Sequence, residues 1–283
     1  IKSGILTTEN VTHDNLWPTK ANKNKVKAKK SYGQHFLTNE QTSKKIAYSL
    51  LRKDGNTKVL EVGPGKGMLT KYLIEQNLDL KVVEADNDMV VYLSNHYPKL
   101  IPNIIEMDFI KANMHKVFDD AQFYIIGNFP YNISSQIVFK AINAKELVPE
   151  MVGMFQKEMA ERIIAKPGSK IYGVISVLTQ AHYDGEMLYR IPPGAFNPPP
   201  KVDSAVIRLI RKEKYTLDCN EKLFRTVVKM AFNSRRKMMR NTLKALVEDP
   251  SVLAGDFFNL RPEQVSVQQF VELTNELEKY VIK

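Results

Sequence analysis

Cysteine occurs once in 283 residues, at Cys219, which excludes an internal disulfide and fits a reducing compartment. No stretch approaches the roughly 20 apolar residues of a membrane-spanning helix. Ile1–Leu16 is mixed and polar rather than an apolar signal core. These absences predict a soluble cytoplasmic protein with no membrane partner. Internal repeats are missing, and no metal is expected. Acid is absent from two lysine- and arginine-rich stretches. One is Lys20–Lys30, with Lys20, Lys23, Lys25, Lys27, Lys29 and Lys30. The other is Lys222–Lys244, with Lys222, Arg225, Lys229, Arg235, Arg236, Lys237, Arg240 and Lys244.

What is present is enough for a large domain and a smaller one: 43% of residues are hydrophobic and 25% charged, which excludes disorder for most of the chain. A formal net charge of +10 favours a polyanionic partner, nucleic acid or an anionic membrane surface. Residues 1–30 show no apolar periodicity and read as a flexible basic tail, either solvated or touching phosphates. From Ser31 the pattern changes. Helical spacing through Ile46, Ala47, Leu50 and Leu51 precedes short apolar runs at Lys58–Val62, Lys81–Ala85, Asn103–Met107, Phe123–Gly127 and Met151–Phe155. Helical segments such as Met68–Gln76 and Asp88–His96 lie between them. Strands alternating with helices predict a mostly parallel sheet covered on both faces. Glu186–Ile191 and Ser204–Ile210 bracket a proline-rich loop and predict an antiparallel pair at one sheet edge. Tyr172–His182 fits either strand or helix. Beyond Lys212 the spacing is helical only, with Asn233-Ser234 a candidate break and cap and Ser266-Val267-Gln268-Gln269 a capping box for a last helix through Leu277. The expected domains are 31–212, α/β, and 213–283, all-helical.

Val59-Leu60-Glu61-Val62 runs into Gly63-Pro64-Gly65-Lys66-Gly67 and then a helical pattern. Glycines let the backbone turn sharply and approach a ligand, and free amides at a helix start favour an anionic group. A dinucleotide loop needs its third glycine at position 68, which is Met68. The spacing here, G-x-G-x-G, resembles the first motif of class I S-adenosylmethionine methyltransferases with a Rossmann-like fold. Glu84 closes the second strand, 21 residues after Gly63, where an acid accepts ribose hydroxyls; Asp86 competes for that role. Asp108 closes the third strand, either as a helix cap or as an acceptor for the adenine amine of the cofactor.

Asn128-Phe129-Pro130-Tyr131 follows the fourth strand and matches the N-x-P-Y motif of methyltransferases acting on exocyclic amines. Such an amine is a poor nucleophile, because its lone pair is delocalised into the ring. The amide oxygen of Asn128 and a backbone carbonyl near Phe129 form an acceptor pair that can hold both amine hydrogens in plane. Pro130 fixes the turn, and Tyr131 offers a face for a base taken out of its stack. With a sulfonium leaving group, positioning can supply most of the catalysis, and no strong general base is needed.

Four motifs in order carry a specific resemblance: Ser31–Leu37, Glu61–Gly67, Asn128–Ser134 and Phe196–Ser204. Together they resemble the ribosomal RNA adenine dimethyltransferases of the kasugamycin-resistance type. The resemblance implies dimethylation of the N6 amines of two adjacent adenosines in small-subunit (16S) ribosomal RNA, with S-adenosyl-L-homocysteine as product. It implies cofactor contacts from His35, Leu37, Gly63, Glu84, Asp108 and Asn128. To these the motif itself adds Glu61, Gly65 and Gly67. Phe196 is implied as a second stacking surface for the adenine. The acid-free basic run, with Arg225, Lys229, Arg235, Arg236, Lys237 and Arg240, is the expected RNA contact, with Arg236 and Arg240 one helical turn apart. Phe232–Lys237 and Asn241-Thr242-Leu243 resemble the small-subunit enzymes more than the erythromycin-resistance enzymes that modify 23S RNA. The partner expected is a small ribosomal subunit or its precursor, met by a monomer. DNA adenine methylation and a non-catalytic RNA-binding assembly factor are the other readings.

Overall fold

The computed structural model describes residues 35–282, so the lysine-rich tail and Ser31–Gln34 lie outside the described residues. The strands are β1 (Phe36–Leu37), β2 (Lys58–Val62), β3 (Asp79–Glu84), β4 (Ile104–Glu106), β5 (Tyr124–Asn128), β6 (Glu150–Gln156), β7 (Tyr183–Ile191), β8 (Phe196–Asn197) and β9 (Ser204–Arg211). The helices are α1 (Glu40–Ala47), α2 (Thr70–Ile74), α3 (Asn87–His96), α4 (Met114–Val117), α5 (Ser134–Asn143), α6 (Lys157–Ile163), α7 (Val174–Gln180), α8 (Glu221–Phe232), α9 (Met239–Thr242) and α10 (Val267–Leu277).

Seven strands form one sheet in the order β4-β3-β2-β5-β6-β9-β7. The first five are parallel, and β9 runs antiparallel between β6 and β7. This is the Rossmann-like arrangement expected of a class I methyltransferase. Period-two alternation sends neighbouring side chains to opposite faces. Leu60 and Ile125 therefore join one apolar cluster, while Val59, Tyr124 and Ile126 join the other. The first three parallel strands run outward from β2, and β5 then starts on its other side. The switch point between β2 and β5 is where a ligand crevice opens in such a sheet.

Two expectations change, and one left open is resolved. The first helix stops at Ala47 rather than continuing to Leu51. The Leu51 and Arg52 amides donate instead to the buried Glu150 carboxylate, at 2.9 and 3.0 Å, and Leu51 is 45% exposed. Strand β7 starts three residues early, at Tyr183, because Asp184 and Gly185 are exposed edge positions with no apolar signal. The ambiguous segment is helix α7, buried at every position from Ile175 to Thr179, which hides its period.

Helix α8 buries Phe224, Val227, Val228 and Ala231 along one stripe, and Asn220 caps it by accepting from the Lys222 and Leu223 amides. The Ser266–Gln269 capping box forms reciprocally and starts α10, which ends at Leu277. The apolar residues of α8 and α10 belong to the same cluster as Leu60 and Ile125, so the C-terminal helices share the core beneath the sheet.

Candidate active site

Beyond Val62 the chain turns through Gly63, Gly65 and Gly67, all at positive φ (+68°, +55° and +74°). A cavity of about 450 Å³ opens there, at the carboxyl ends of β2, β3 and β5. The sequence suggests free amides at a helix start, but the three glycine amides are used within the protein. Gly63 donates to the Val83 carbonyl at 3.0 Å, Gly65 to Glu84 Oε2 at 3.1 Å, and Gly67 to the Pro64 carbonyl at 2.9 Å. The reason is that α2 starts only at Thr70, so the loop is a run of turns rather than a helix entry. Gly63 and Gly65 line the cavity; Gly67 does not. A Cβ on Gly67 would stand 2.5 Å from the Tyr97 ring, so this glycine answers to packing.

Glu61 and Glu84 both line the cavity and are almost wholly buried. The Thr70 hydroxyl donates to Glu61 Oε2 at 2.6 Å, yet burial pushes the Glu61 carboxyl up to about 8. Glu84 Oε1 accepts from the Ala85 and Asp86 amides, both at 2.9 Å. Burial nevertheless raises its pKa above the ordinary carboxylate value. Asp86, the competitor for the ribose role, caps α3 through the Asp88 amide and is not among the cavity-lining residues. Asp108 caps the short turn Phe109–Lys111, accepting from the Ile110 amide at 2.9 Å, and it also lines the cavity. Phe36, Met68, Val83, Met107 and Phe109 supply apolar walls that motif reading missed. The available signal was that Met107 and Phe109 flank Asp108 in the sequence.

At the other end of the cavity Asn128 is the last residue of β5. Its Nδ2 donates to the His35 carbonyl at 3.0 Å, which ties down the nitrogen end of the amide and leaves the oxygen end for a ligand. His35 Nδ1 is 2.9 Å from the Pro198 carbonyl, and the His35 ring stacks on Tyr131 at 5.3 Å between centroids. The Tyr131 hydroxyl meets Ser204 Oγ at 2.6 Å, and burial raises the Tyr131 pKa. His35, Leu37, Asn128, Pro130 and Tyr131 all line the cavity. Phe129 turns inward: its ring fills the space above Gly127 and Gly153 and meets Phe155 edge-on at 5.2 Å.

Phe196 departs from its expected role. It is 4% exposed, pairs with Leu37 across β1 and β8, packs in the core with Leu37 and Ile46, and does not line the cavity. Burial of an apolar ring beneath the paired strands makes it the anchor of its loop.

The basic stretch also divides. Helix α8 ends at Phe232 and residues 233–237 form turns, so Arg236 and Arg240 do not share a helix. Asn233 caps the end of α8, but Ser234 caps nothing; the N-cap of α9 is Met238. Lys229, Arg236 and Lys237 are exposed. Arg225 donates to Asn143 Oδ1 on α5. Arg235 donates to the Ser169 carbonyl at 3.0 Å and faces Glu263 at 3.9 Å. Arg240 is only partly exposed, with its Nε buried. Among the described residues no group of His, Cys, Asp and Glu is arranged to hold a metal, and no helix is long and apolar enough to cross a membrane.

The family model for ribosomal RNA adenine dimethylase matches residues 25–282. The ribosomal RNA small subunit methyltransferase A of Flavobacterium johnsoniae is 53% identical over 254 residues, covering 90% of this chain and 97% of that protein. Its counterpart in Phocaeicola vulgatus is 51% identical over 254 residues, 89% of this chain and 90% of that protein. Among solved structures, a dimethyladenosine transferase from Plasmodium falciparum aligns with a TM-score of 0.72 at 26% identity, over 87% of this chain and 98% of that one. The 23S rRNA methyltransferase ErmE shares the fold, with a TM-score of 0.61 at 23% identity over 85% of this chain and 99% of that one. On the length and identity of these matches, the chain belongs to the ribosomal RNA adenine dimethylase family.

Proposed function

We propose that this chain transfers methyl groups from S-adenosyl-L-methionine to the N6 amines of two adjacent adenosines in 16S ribosomal RNA, working as a cytoplasmic monomer on a small ribosomal subunit or its precursor. The observation that carries the reading is the Asn128 amide, held by its nitrogen against the His35 carbonyl at the mouth of β5. Relatives at about half identity that are named for the small subunit support the choice of RNA.

The cavity suits the cofactor. Its volume is within the usual ligand range of roughly 300–1,000 Å³, its walls are apolar beside Met107 and Phe109, and acceptor oxygens stand at buried Glu61 and Glu84 and at half-buried Asp108. When bound, the cofactor supplies an electrophilic methyl on a sulfonium whose departure leaves a neutral thioether. Glu84 would accept the ribose hydroxyls, and Asp108 would accept the adenine amine of the cofactor with the oxygen lone pairs that the Ile110 amide leaves free. Glu61, Gly63, Gly65, His35 and Leu37 complete the enclosure. Asn128 holds the target amine in plane and Tyr131 stacks on the target base, so alignment of the attacking nitrogen is the main contribution of the protein. Lys229, Arg236 and Lys237 supply phosphate contacts without reading sequence.

The test is methylation of purified small subunits followed by mass-spectrometric mapping of dimethyladenosine. Asn128→Ala should keep the fold and lower the single-turnover rate by on the order of a hundredfold at saturating RNA and cofactor, as expected when a reacting group loses its alignment. A near-normal rate would remove Asn128 from the chemistry, and dimethyladenosine in 23S RNA alone would reassign the substrate.

A further inference from the structure

Ser204 is fully buried, begins β9, and has no part in the roles assigned above. Its Oγ lies 2.6 Å from the Tyr131 hydroxyl, 73 residues earlier in sequence. The Tyr131 ring is held in two ways. One side stacks on His35, with ring planes 29° apart, and the phenol end is pinned by Ser204. His35 is itself fixed through the Pro198 carbonyl at 2.9 Å. The β9 end of this brace is rigid, since Ser204 pairs with Gln156 of β6 on one side and with Ile191 of β7 on the other.

We infer that Ser204 is a positioning residue for the target adenine: its hydroxyl sets where Tyr131 presents its free face, and this governs the second methyl transfer more than the first. The inference rests on the proposed role of Tyr131 as the stacking surface. The asymmetry follows from hydrogen counting. An unmethylated amine offers two N–H donors to the acceptor pair, and these orient it. A monomethylated amine offers one, so in the second step more of the alignment falls on the stacked ring.

The experiment is a double-mutant cycle of Ser204→Ala and Tyr131→Phe, measured by single-turnover methylation of small subunits with mono- and dimethyladenosine quantified separately. Each single variant deletes the same hydrogen bond from one end. Loss of one such bond should slow the second transfer about three- to tenfold in either variant and raise the monomethyl fraction, and Ser204→Ala should leave S-adenosylmethionine affinity and the first transfer near wild type. Because both act through one bond, adding Ser204→Ala to Tyr131→Phe should cause no further loss. Ser204→Thr, which keeps a hydroxyl, should restore the dimethyl product. Multiplicative losses in the double variant, or an unchanged product ratio in both single variants, would overturn the inference. If Ser204→Ala does not fold, Tyr131→Phe alone decides through the product ratio. Absence of dimethyladenosine in the wild-type reaction would instead remove the proposed function on which the inference rests.

Discussion

Two carboxyls, Glu61 and Glu84, share the wall of one cavity, and burial raises both. For Glu61 the folded value is about 8 against an ordinary 4.5. The folded state therefore keeps a proton that the unfolded chain releases above pH 4.5. The associated stability is complete below that pH and is lost as pH rises through about 8. Thermal unfolding of the cofactor-free protein between pH 5 and 8.5 should show a falling midpoint, worth on the order of a few kcal/mol. Glu61→Gln, which stays neutral, should flatten most of that slope; Glu84, shifted the same way, accounts for the remainder. A pH-independent midpoint in the wild type would show that Glu61 ionises normally. The same two residues show the limit of motif reading. Their places in the sequence mark them as cavity acids, but whether each is charged depends on how deeply it is buried.

At the scale of elements, the loop between β2 and α2 combines two demands on glycine. Gly65 sits beside the Phe36 ring at the cavity, where an added Cβ would come 3.1 Å from the ring, whereas Gly67 is pressed by Tyr97 from behind. Gly168 has an equally unfavourable φ of +86° but open space around it, and so isolates the cost of backbone conformation alone. Gly168→Ala should lose about 1–2 kcal/mol, and Gly67→Ala should lose more, because its Cβ also displaces the Tyr97 ring. Urea denaturation of the two variants checks this; equal losses would show that Tyr97 yields freely. The chain-local elements were legible in the sequence: β2 matches its apolar run to the residue, and α10 starts at its capping box. Helix α7 was not, because packing against α5, α6, α8 and α10 buries all its faces and erases the period.

On the whole molecule, a net charge of +10 is spent unevenly. Arg225 and Arg235 tie the C-terminal helices to α5 and to the loop at Ser169, while Lys229, Arg236 and Lys237 face solvent. Replacing the last three by alanine should weaken RNA binding and reduce the slope of log affinity against log salt by about 0.7–0.9 per lost phosphate contact. Arg235→Ala should act mainly on thermal stability. A triple variant with the wild-type salt slope would show that this surface is only solvated, and would turn attention to the lysines before Ser31.

The sequence by itself determined the alternation of strands and helices outside α7, the glycine turn, the Asn128–Tyr131 motif and, through four motifs in series, the family. Each of these is written in residues a few positions apart, where spacing and turn chemistry act directly. Tertiary structure alone decided which candidates meet. Gly65 reaches Glu84 across 19 residues, Tyr131 reaches Ser204 across 73, and Asn128 reaches His35 across 93. It also withdrew Phe196 into the core and sorted the arginines into braces and exposed charges. Such pairings depend on sheet order and register, which bring strand ends together without leaving a trace in local spacing.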